Sequence, residues 1–278
     1  VCLEMSSLGK GDIREPFIEV TYPNGSSTTD MVFDRAEIIQ GKEEYDTLPG
    51  SYDDNGEVEQ LVIYLKDRNY NLTLELHYYV YEKCDIITRS AKLVNSGNES
   101  VRLERLMSMQ LDLNESDYEL SFFNGAWARE MNRSRIPIRA GKYVNESVTG
   151  TSSNRANPFF MIGRSSTTED YGECYGFNLI YSGNHYEAAQ VNSYGKLRLV
   201  SGINPATFSY IIEAGKCFEA PEAVLTYSYK GYNRMSHNMH EFVRKHIVRG
   251  SWRDKERPVL INSWEAAYFN INERKLVK

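Results

Sequence analysis

The feature that most constrains this chain is a long series of short strand-like runs separated by turn residues. Runs rich in β-branched and aromatic residues, often alternating with a period of two, recur through the first 230 residues. The turns between them include Asn24-Gly25 and Asn124-Gly125, whose residues tolerate positive φ. A dozen or more antiparallel strands require two stacked sheets, so the sequence predicts a large β sandwich. The predicted strands are 17–22, 60–66, 71–81, 86–94, 101–113, 118–123, 136–148, 159–164, 174–181, 186–191, 196–200, 207–212 and 220–229.

One of these strands shows the alternation over its whole length. Leu72, Leu74, Leu76, Tyr78 and Val80 are apolar and are separated mainly by polar residues. Successive side chains of a strand point to opposite faces of the sheet. The pattern therefore predicts a half-buried strand with these five side chains on its core face.

The pattern changes after residue 230. Apolar side chains at three- and four-residue spacings, from Met235 to Ile247, predict a helix over 233–248 that ends before Gly250. The apolar run 259–262 lacks alternation, which is typical of a strand buried on both faces. The residues after Asn272 predict the start of a helix. We therefore predict two domains, a β domain over 1–256 that includes the helix and a truncated second domain over 257–278.

Composition and charge exclude several function classes. A net charge of −6 and a pI near 5.5 argue against nucleic-acid binding, which needs a basic surface. The sequence lacks the long apolar stretch of a membrane helix and the layout of a signal peptide. Four scattered cysteines predict free thiols, and with them a cytoplasmic location. They are Cys2, Cys84, Cys174 and Cys217.

Several segments, spread along the chain, resemble signature segments of family 36 glycoside hydrolases, the α-galactosidases. The carboxyl-terminal match is the most specific, and this many matches in family order make accidental similarity improbable. The segments are Gly11-Asp12-Ile13-Arg14-Glu15-Pro16, Ile87-Thr88-Arg89-Ser90, Gly125-Ala126-Trp127-Ala128-Arg129-Glu130, Asn157-Pro158-Phe159, Tyr175-Gly176-Phe177, Tyr181-Ser182-Gly183-Asn184, Gly202-Ile203-Asn204-Pro205, Trp252-Arg253-Asp254-Lys255, Arg257-Pro258-Val259-Leu260-Ile261-Asn262, Trp264-Glu265-Ala266 and Tyr268-Phe269.

The resemblance implies a fold and an activity. It implies a mainly β, galactose mutarotase-like supersandwich, a linker helix, and a (β/α)₈ barrel whose first strand is 259–262. It also implies a retaining hydrolase of terminal α-galactosides such as melibiose and raffinose, with no cofactor or metal and with tetrameric assembly. Trp264 matches a family tryptophan that lines the galactose pocket. Both catalytic aspartates lie beyond residue 278, so we expect this chain alone to be inactive.

Other readings of the sequence stay open. A related α-N-acetylgalactosaminidase specificity and a stand-alone carbohydrate-binding or oligomerisation module are alternatives. Trp127 and Arg129 are candidate contacts with a neighbouring subunit. Four further groups of polar residues lack the spacing of a specific site and are interpreted as surface or loop residues. They are Asp46 with Asp53, Asp54 and Glu57; His237 with His240; Asp112 with Asp117; and Glu169 with Asp170.

Overall fold

The chain folds mainly as antiparallel β strands. The structure is a computed structural model that describes residues 2–277, so the outer ends of the two predicted domains, Val1 and Lys278, lie outside it. The strands are β1 Ile18–Thr21, β2 Met31–Gln40, β3 Glu59–Asp67, β4 Leu72–Tyr81, β5 Ile86–Asn95, β6 Val101–Leu113, β7 Glu119–Ala126, β8 Arg129–Pro137, β9 Gly141–Glu146, β10 Ala156–Gly163, β11 Cys174–Ile180, β12 His185–Val191, β13 Leu197–Ile203, β14 Tyr210–Ile212, β15 Cys217–Glu219 and β16 Glu222–Ser228.

These strands form two sheets, which confirms the predicted sandwich. The smaller sheet has the order β1-β6-β13-β12-β9, with β14 also paired to β6. The larger sheet has the order β2-β3-β4-β5-β16-β11-β10-β7-β8, with β15 also paired to β5. The two outermost strands of the larger sheet, β2 and β8, each leave one edge without a partner strand among the described residues.

The core between the sheets consists of two apolar clusters. In the first cluster, Leu74 and Leu93 of the larger sheet pack with Leu103 of the smaller one. In the second cluster, the rings of Phe160 and Phe177 stack with their centroids 4.7 Å apart. Burial of these side chains from both inner faces is the main stabilising term of a sandwich.

The two faces of strand β4 are buried in different halves of the strand. Leu72, Leu74 and Leu76 are buried as predicted, but Val80 on the same face is 39% exposed. On the opposite face Tyr81 is buried, with its ring 4.9 Å from that of Phe242. The prediction of one continuous core face is therefore wrong for the second half of β4, because a helix covers the outer face there.

Some strands were not predicted, and some boundaries were wrong. Strand β2 is exposed on both faces, so burial imposes no alternation on its sequence. Strand β8 is also nearly all exposed and carries many charges. The predicted strand 136–148 is divided between β8 and β9, and Gly141, with φ of 124°, begins the second of them. The short strand β15 was missed, and in 207–212 only Tyr210–Ile212 is strand.

The predicted helix is confirmed. Helix α1, Gly231–Phe242, continues into a π-helical segment, Val243–Ile247, and packs on β16 and β11 of the larger sheet. Gly231 has φ of 76°, and a Cβ there would lie 2.5 Å from the backbone nitrogen of Tyr171. Only glycine fits this close approach at the start of the helix.

The compact β unit ends at Ile247, and the chain from Val248 onward forms a separate unit. This unit contains two four-residue helices, α2 Trp264–Ala267 and α3 Glu273–Leu276, the second of which was predicted. The prediction of a buried strand at 259–262 is wrong for this chain: Val259 is 96% exposed and the segment has no strand. A parallel strand needs neighbouring strands for its hydrogen bonds, and the described part of this unit contains none.

Replacing Phe177 by alanine tests the second core cluster. We expect Phe177→Ala to lower the free energy of unfolding by about 3 to 5 kcal/mol, because it removes a stacked ring from a close-packed site. Tyr194→Ala is the matched control, since Tyr194 is 85% exposed. Urea denaturation followed by far-UV circular dichroism measures both; equal effects of the two substitutions would contradict the proposed packing.

Candidate functional site

Trp264, the residue predicted to bind substrate, lies in a cluster of three aromatic side chains. Its backbone N–H donates to Asn262 Oδ1 at 3.0 Å at the start of α2. Its indole makes edge contacts with the rings of Tyr268 and Phe269, at centroid distances of 5.3 and 5.0 Å. The Trp264 side chain is 45% exposed, so part of the ring is open to solvent. An exposed indole on a short turn can offer its face to an apolar ring.

A groove of about 910 Å³ lies on the inner face of the larger sheet. Its floor is formed by β4, β5, β16 and β11, where the smaller sheet leaves the face uncovered. Ile87 and Tyr227 on this floor are 45% and 44% exposed. Its lining includes five tyrosines, Tyr78, Tyr81, Tyr175, Tyr227 and Tyr229. A concave surface rich in aromatic side chains is suited to an apolar or amphipathic partner.

Two of the acidic groups along the groove, Asp85 and Glu4, are engaged by cations. Asp85 pairs with Arg234 at 2.8 Å, and Glu4 accepts a hydrogen bond of 2.5 Å from Tyr78 while it pairs with Arg89 at 3.5 Å. Paired carboxylates of a glycosidase need one group that is free to accept a proton. The groove therefore has the character of a packing surface.

A buried charge cluster lies beside the groove. The guanidinium of Arg198, with no exposed surface, contacts Asp112 at 2.7 and 2.8 Å and Asp12 at 2.8 Å. Arg14 pairs with the same two carboxylates, at 2.8 Å from Asp12 and 3.1 Å from Asp112. The hydrogen bond from Arg14 holds the pKa of Asp12 well below its usual range. The cluster fixes the 11–16 segment to β6 and β13.

This cluster corrects the reading of Asp112. The sequence placed Asp112 and Asp117 in polar loop-like segments, but Asp112 lies on β6 with a buried carboxylate. Sequence reasoning missed Arg198 as its partner because the two residues are 86 positions apart. Only strand pairing brings them together, since Arg198 and Asp112 are directly opposite in the β13–β6 register.

A second buried group joins His185 and Glu187 on β12. His185 Nε2 donates to the carbonyl of Ala156 at 3.0 Å, and Nδ1 is 2.9 Å from Glu187 Oε2. Asn145 donates to the same carboxylate at 2.8 Å. Burial works against the charged imidazole, but the hydrogen bond and charge of Glu187 raise the pKa of His185 above 6.5. Burial raises the pKa of Glu187.

A third buried group holds the segment before β3 against the outer face of the larger sheet. The ammonium of Lys42 lies 4.4 and 4.3 Å from the ring centroids of Tyr45 and Tyr79 and 3.7 Å from Glu222. Ser51 donates to Glu222 from its hydroxyl at 2.6 Å and from its backbone at 2.7 Å. Cation–π contact and charge pairing together compensate for burial of the lysine.

The acidic group near Asp53 forms a turn. Asp53 accepts backbone hydrogen bonds from Asn55, Glu57 and Val58, and these hydrogen bonds overcome the effect of burial and lower its pKa. Such an arrangement is an Asx-type turn. The described residues contain no group of three or more His, Cys, Asp or Glu side chains that could hold a metal ion.

The remaining candidates are surface residues. Glu169 pairs with Arg133 at 3.1 Å, and Asp170 accepts from Asn233 at 2.9 Å. His240 lies 3.4 Å from Ser236 of its own helix. Trp127, at the tip of the β7–β8 hairpin, is 91% exposed. No helix among residues 2–277 has the length and apolar character needed to cross a membrane.

Two family models match the chain in succession. The glycosyl hydrolase family 36 N-terminal domain matches residues 1–213, and the melibiase family matches residues 217–278. The chain therefore belongs to glycosyl hydrolase family 36.

Its relatives are α-galactosidases. The chain is 40% identical to α-galactosidase AgaA of Geobacillus stearothermophilus over 99% of its length, but this covers only 38% of that protein. The crystal structure of an α-galactosidase from Lactobacillus brevis matches 99% of the chain with a TM-score of 0.95 and 41% identity, covering 37% of that structure. A variant of AgaA solved in complex with stachyose matches with a TM-score of 0.95 and 40% identity, over 99% of this chain and 39% of that one. The chain thus spans well under half the length of these relatives.

The His185–Glu187 pair predicts a pH dependence of stability. The folded state holds a proton that the unfolded chain releases near pH 6.5, so the free energy of unfolding falls as pH rises from 6.5 through the raised pKa of His185. The raised pKa of Glu187 acts in the same direction. Urea denaturation between pH 6 and pH 9 measures the slope, and Glu187→Gln flattens it. If the wild-type slope is no steeper than that of the variant, the pH dependence does not come from the His185–Glu187 pair.

Proposed function

We propose that this chain is the non-catalytic amino-terminal part of a retaining α-galactosidase that hydrolyses terminal α-linked galactose from oligosaccharides such as melibiose and raffinose. The observation that carries the proposal is the continuous match, over 99% of the chain, to α-galactosidases of known structure. One of these structures holds stachyose, an α-galactoside oligosaccharide. The same proposal places the parent protein in the cytoplasm, without a cofactor.

The roles of the two units follow from this proposal. Residues 1–256 would form the supersandwich with its linker helix, and residues 257–278 would begin the catalytic barrel. Trp264 would line the galactose pocket, which its half-exposed indole suits. The two aspartates of the retaining reaction, a nucleophile and an acid/base, would come from later barrel strands. The parent is proposed to be a tetramer in which the exposed Trp127 hairpin approaches a neighbouring subunit.

The direct test is hydrolysis of p-nitrophenyl α-galactoside. We expect turnover by the parent reading frame extended past residue 278 and none by the 278-residue chain, because the carboxylates of the chemistry lie in the extension. Turnover of the α-N-acetylgalactosaminide in place of the galactoside would assign the related specificity. No turnover of either substrate by the extended protein would favour a carbohydrate-binding or assembly module.

Substitution of Trp264 tests its role in the extended enzyme. We expect Trp264→Ala to lower kcat/KM by about tenfold or more, since loss of a sugar-facing aromatic contact is worth at least about 1.4 kcal/mol. Trp252→Ala is the matched control, because Trp252 has the same 45% exposure. Steady-state kinetics on p-nitrophenyl α-galactoside measure both variants. Equal kcat/KM values for the two would place Trp264 outside the pocket.

A further inference from the structure

The chain contains three asparagine–glycine pairs, a dipeptide that can modify itself chemically. The backbone nitrogen of the glycine can attack the side-chain amide carbon of the asparagine, because glycine has no Cβ to obstruct the approach. The asparagine side chain and the following peptide bond must move together for this attack, so the local structure decides which pair reacts. The pairs are Asn24-Gly25, Asn55-Gly56 and Asn124-Gly125.

Hydrogen bonds hold the first pair in an unreactive arrangement. The side-chain oxygen of Asn24 accepts from the Ser26 N–H at 3.0 Å, and its side-chain nitrogen donates to the Tyr70 hydroxyl at 3.0 Å. The N–H of Gly25, whose nitrogen would be the attacking atom, donates to the carbonyl of Tyr22 at 2.9 Å. Three hydrogen bonds would therefore have to break before the attack could occur.

The third pair lies inside the larger sheet. Asn124 belongs to β7 and is paired with Asn132 of β8 on one side and with Ala156 of β10 on the other. Gly125 is closely packed, because a Cβ there would lie 2.4 Å from the carbonyl oxygen of Arg129. Strands paired on both sides prevent the peptide bond between Asn124 and Gly125 from rotating toward the side chain.

The second pair lies in a turn between β2 and β3. Asn55 and Gly56 are exposed and belong to no strand or helix. Within residues 2–277, the Asn55 side chain makes no hydrogen bond. The N–H of Gly56 makes the weakest of four backbone hydrogen bonds to the Asp53 carboxylate. Fewer hydrogen bonds must therefore break at this pair than at Asn24, and no strand pairing opposes the movement as it does at Asn124.

We propose that Asn55 is a deamidation site and that its conversion weakens the turn between β2 and β3. The Gly56 nitrogen forms a bond to Asn55 Cγ, and the bond from Cγ to the amide nitrogen breaks. The proton of the Gly56 N–H passes through solvent to that nitrogen, which leaves as ammonia, and a succinimide ring remains. Water, the only co-reactant, adds to either ring carbonyl and opens the ring to aspartate or isoaspartate. The proposal is independent of the activity proposed above.

The turn is poorly suited to accommodate either product. Asp53, Asp54 and Glu57 already surround the site, so a new carboxylate at position 55 adds to the repulsion among like charges. Isoaspartate also inserts a carbon atom into the main chain between Asp53 and the N–H of Val58, which donates to it at 3.1 Å. Val58 is buried in the third apolar cluster, so displacement of this hydrogen bond disturbs core packing.

Peptide mapping of the folded 278-residue chain tests the site. After incubation in mildly alkaline buffer, trypsin places the three asparagines in different peptides, because lysine and arginine residues lie between them. We expect mass spectrometry to show conversion at Asn55 that is faster than at Asn24 or Asn124 by about tenfold or more, since each hydrogen bond that must break slows the attack. Incubation in heavy-oxygen water should label the product, because water opens the ring.

Two controls separate the effect of structure from that of the dipeptide itself. In guanidinium chloride, where the chain is unfolded, all three pairs should convert at similar rates because their hydrogen bonds are lost. Asn55→Gln should abolish conversion at this position, since its longer side chain would have to form a larger ring. Asn24→Gln is the matched control and should leave conversion at Asn55 unchanged. Circular dichroism verifies the fold of both variants.

Urea denaturation tests the second part of the proposal. The converted chain, separated by ion exchange through its added negative charge, should unfold at a lower urea concentration than the unconverted chain. An equal midpoint would overturn the proposed weakening of the turn.

Two further results would overturn the deamidation site. The first is conversion of the folded chain at Asn24 or Asn124 as fast as at Asn55, which would show that the hydrogen bonds do not select the site. The second is an unconverted Asn55 in the folded chain over a period in which the unfolded chain reacts at all three pairs. That result would show that the turn protects Asn55 as well as the other two pairs are protected.

Discussion

The structure depends on covering both faces of one ten-stranded sheet. On the inner face, the smaller sheet buries clusters centred on Leu74 and on Phe177. On the outer face, helix α1 and the segment before β3 bury a third cluster that includes Tyr81 and Phe242. Because apolar burial is proportional to area, a wide sheet needs cover on both sides to be stable. The groove lies where the smaller sheet no longer covers the inner face of the larger one.

Buried charges hold in place the segments that cover the two sheets. Arg198 joins the 11–16 segment to the smaller sheet, and Glu222 joins the Lys42 segment to the outer face of the larger one. Each group is surrounded by partners, which is the condition under which a buried charge is tolerated. Such pairs discriminate against alternative arrangements, because a shifted strand would leave a charge buried without its counterpart. The same chemistry explains why the buried carboxylates Asp112, Glu187 and Glu222 have structural roles.

The two units of the chain differ in the surroundings of their polar and aromatic side chains. The β unit has a groove, and its buried carboxylates are held by cations or hydrogen bonds. Trp264, in contrast, lies in the separate unit that begins at Val248. The relatives that the chain matches are α-galactosidases of much greater length.

The sequence by itself determined the fold class, most of the inner strands, helix α1 and the family, because buried strands and amphipathic helices impose a period on the chain. It could not locate β2, whose two exposed faces impose no period, or show that the second half of β4 buries the face opposite to Leu74. It could not pair Arg198 with Asp112, since residues 86 positions apart meet only through strand register. The apolar run 259–262 was predicted as a buried strand but forms none here, because a strand needs neighbouring strands for its hydrogen bonds. The local sequence pattern indicates which side chains are buried, whereas pairing between distant residues is decided by the tertiary structure alone.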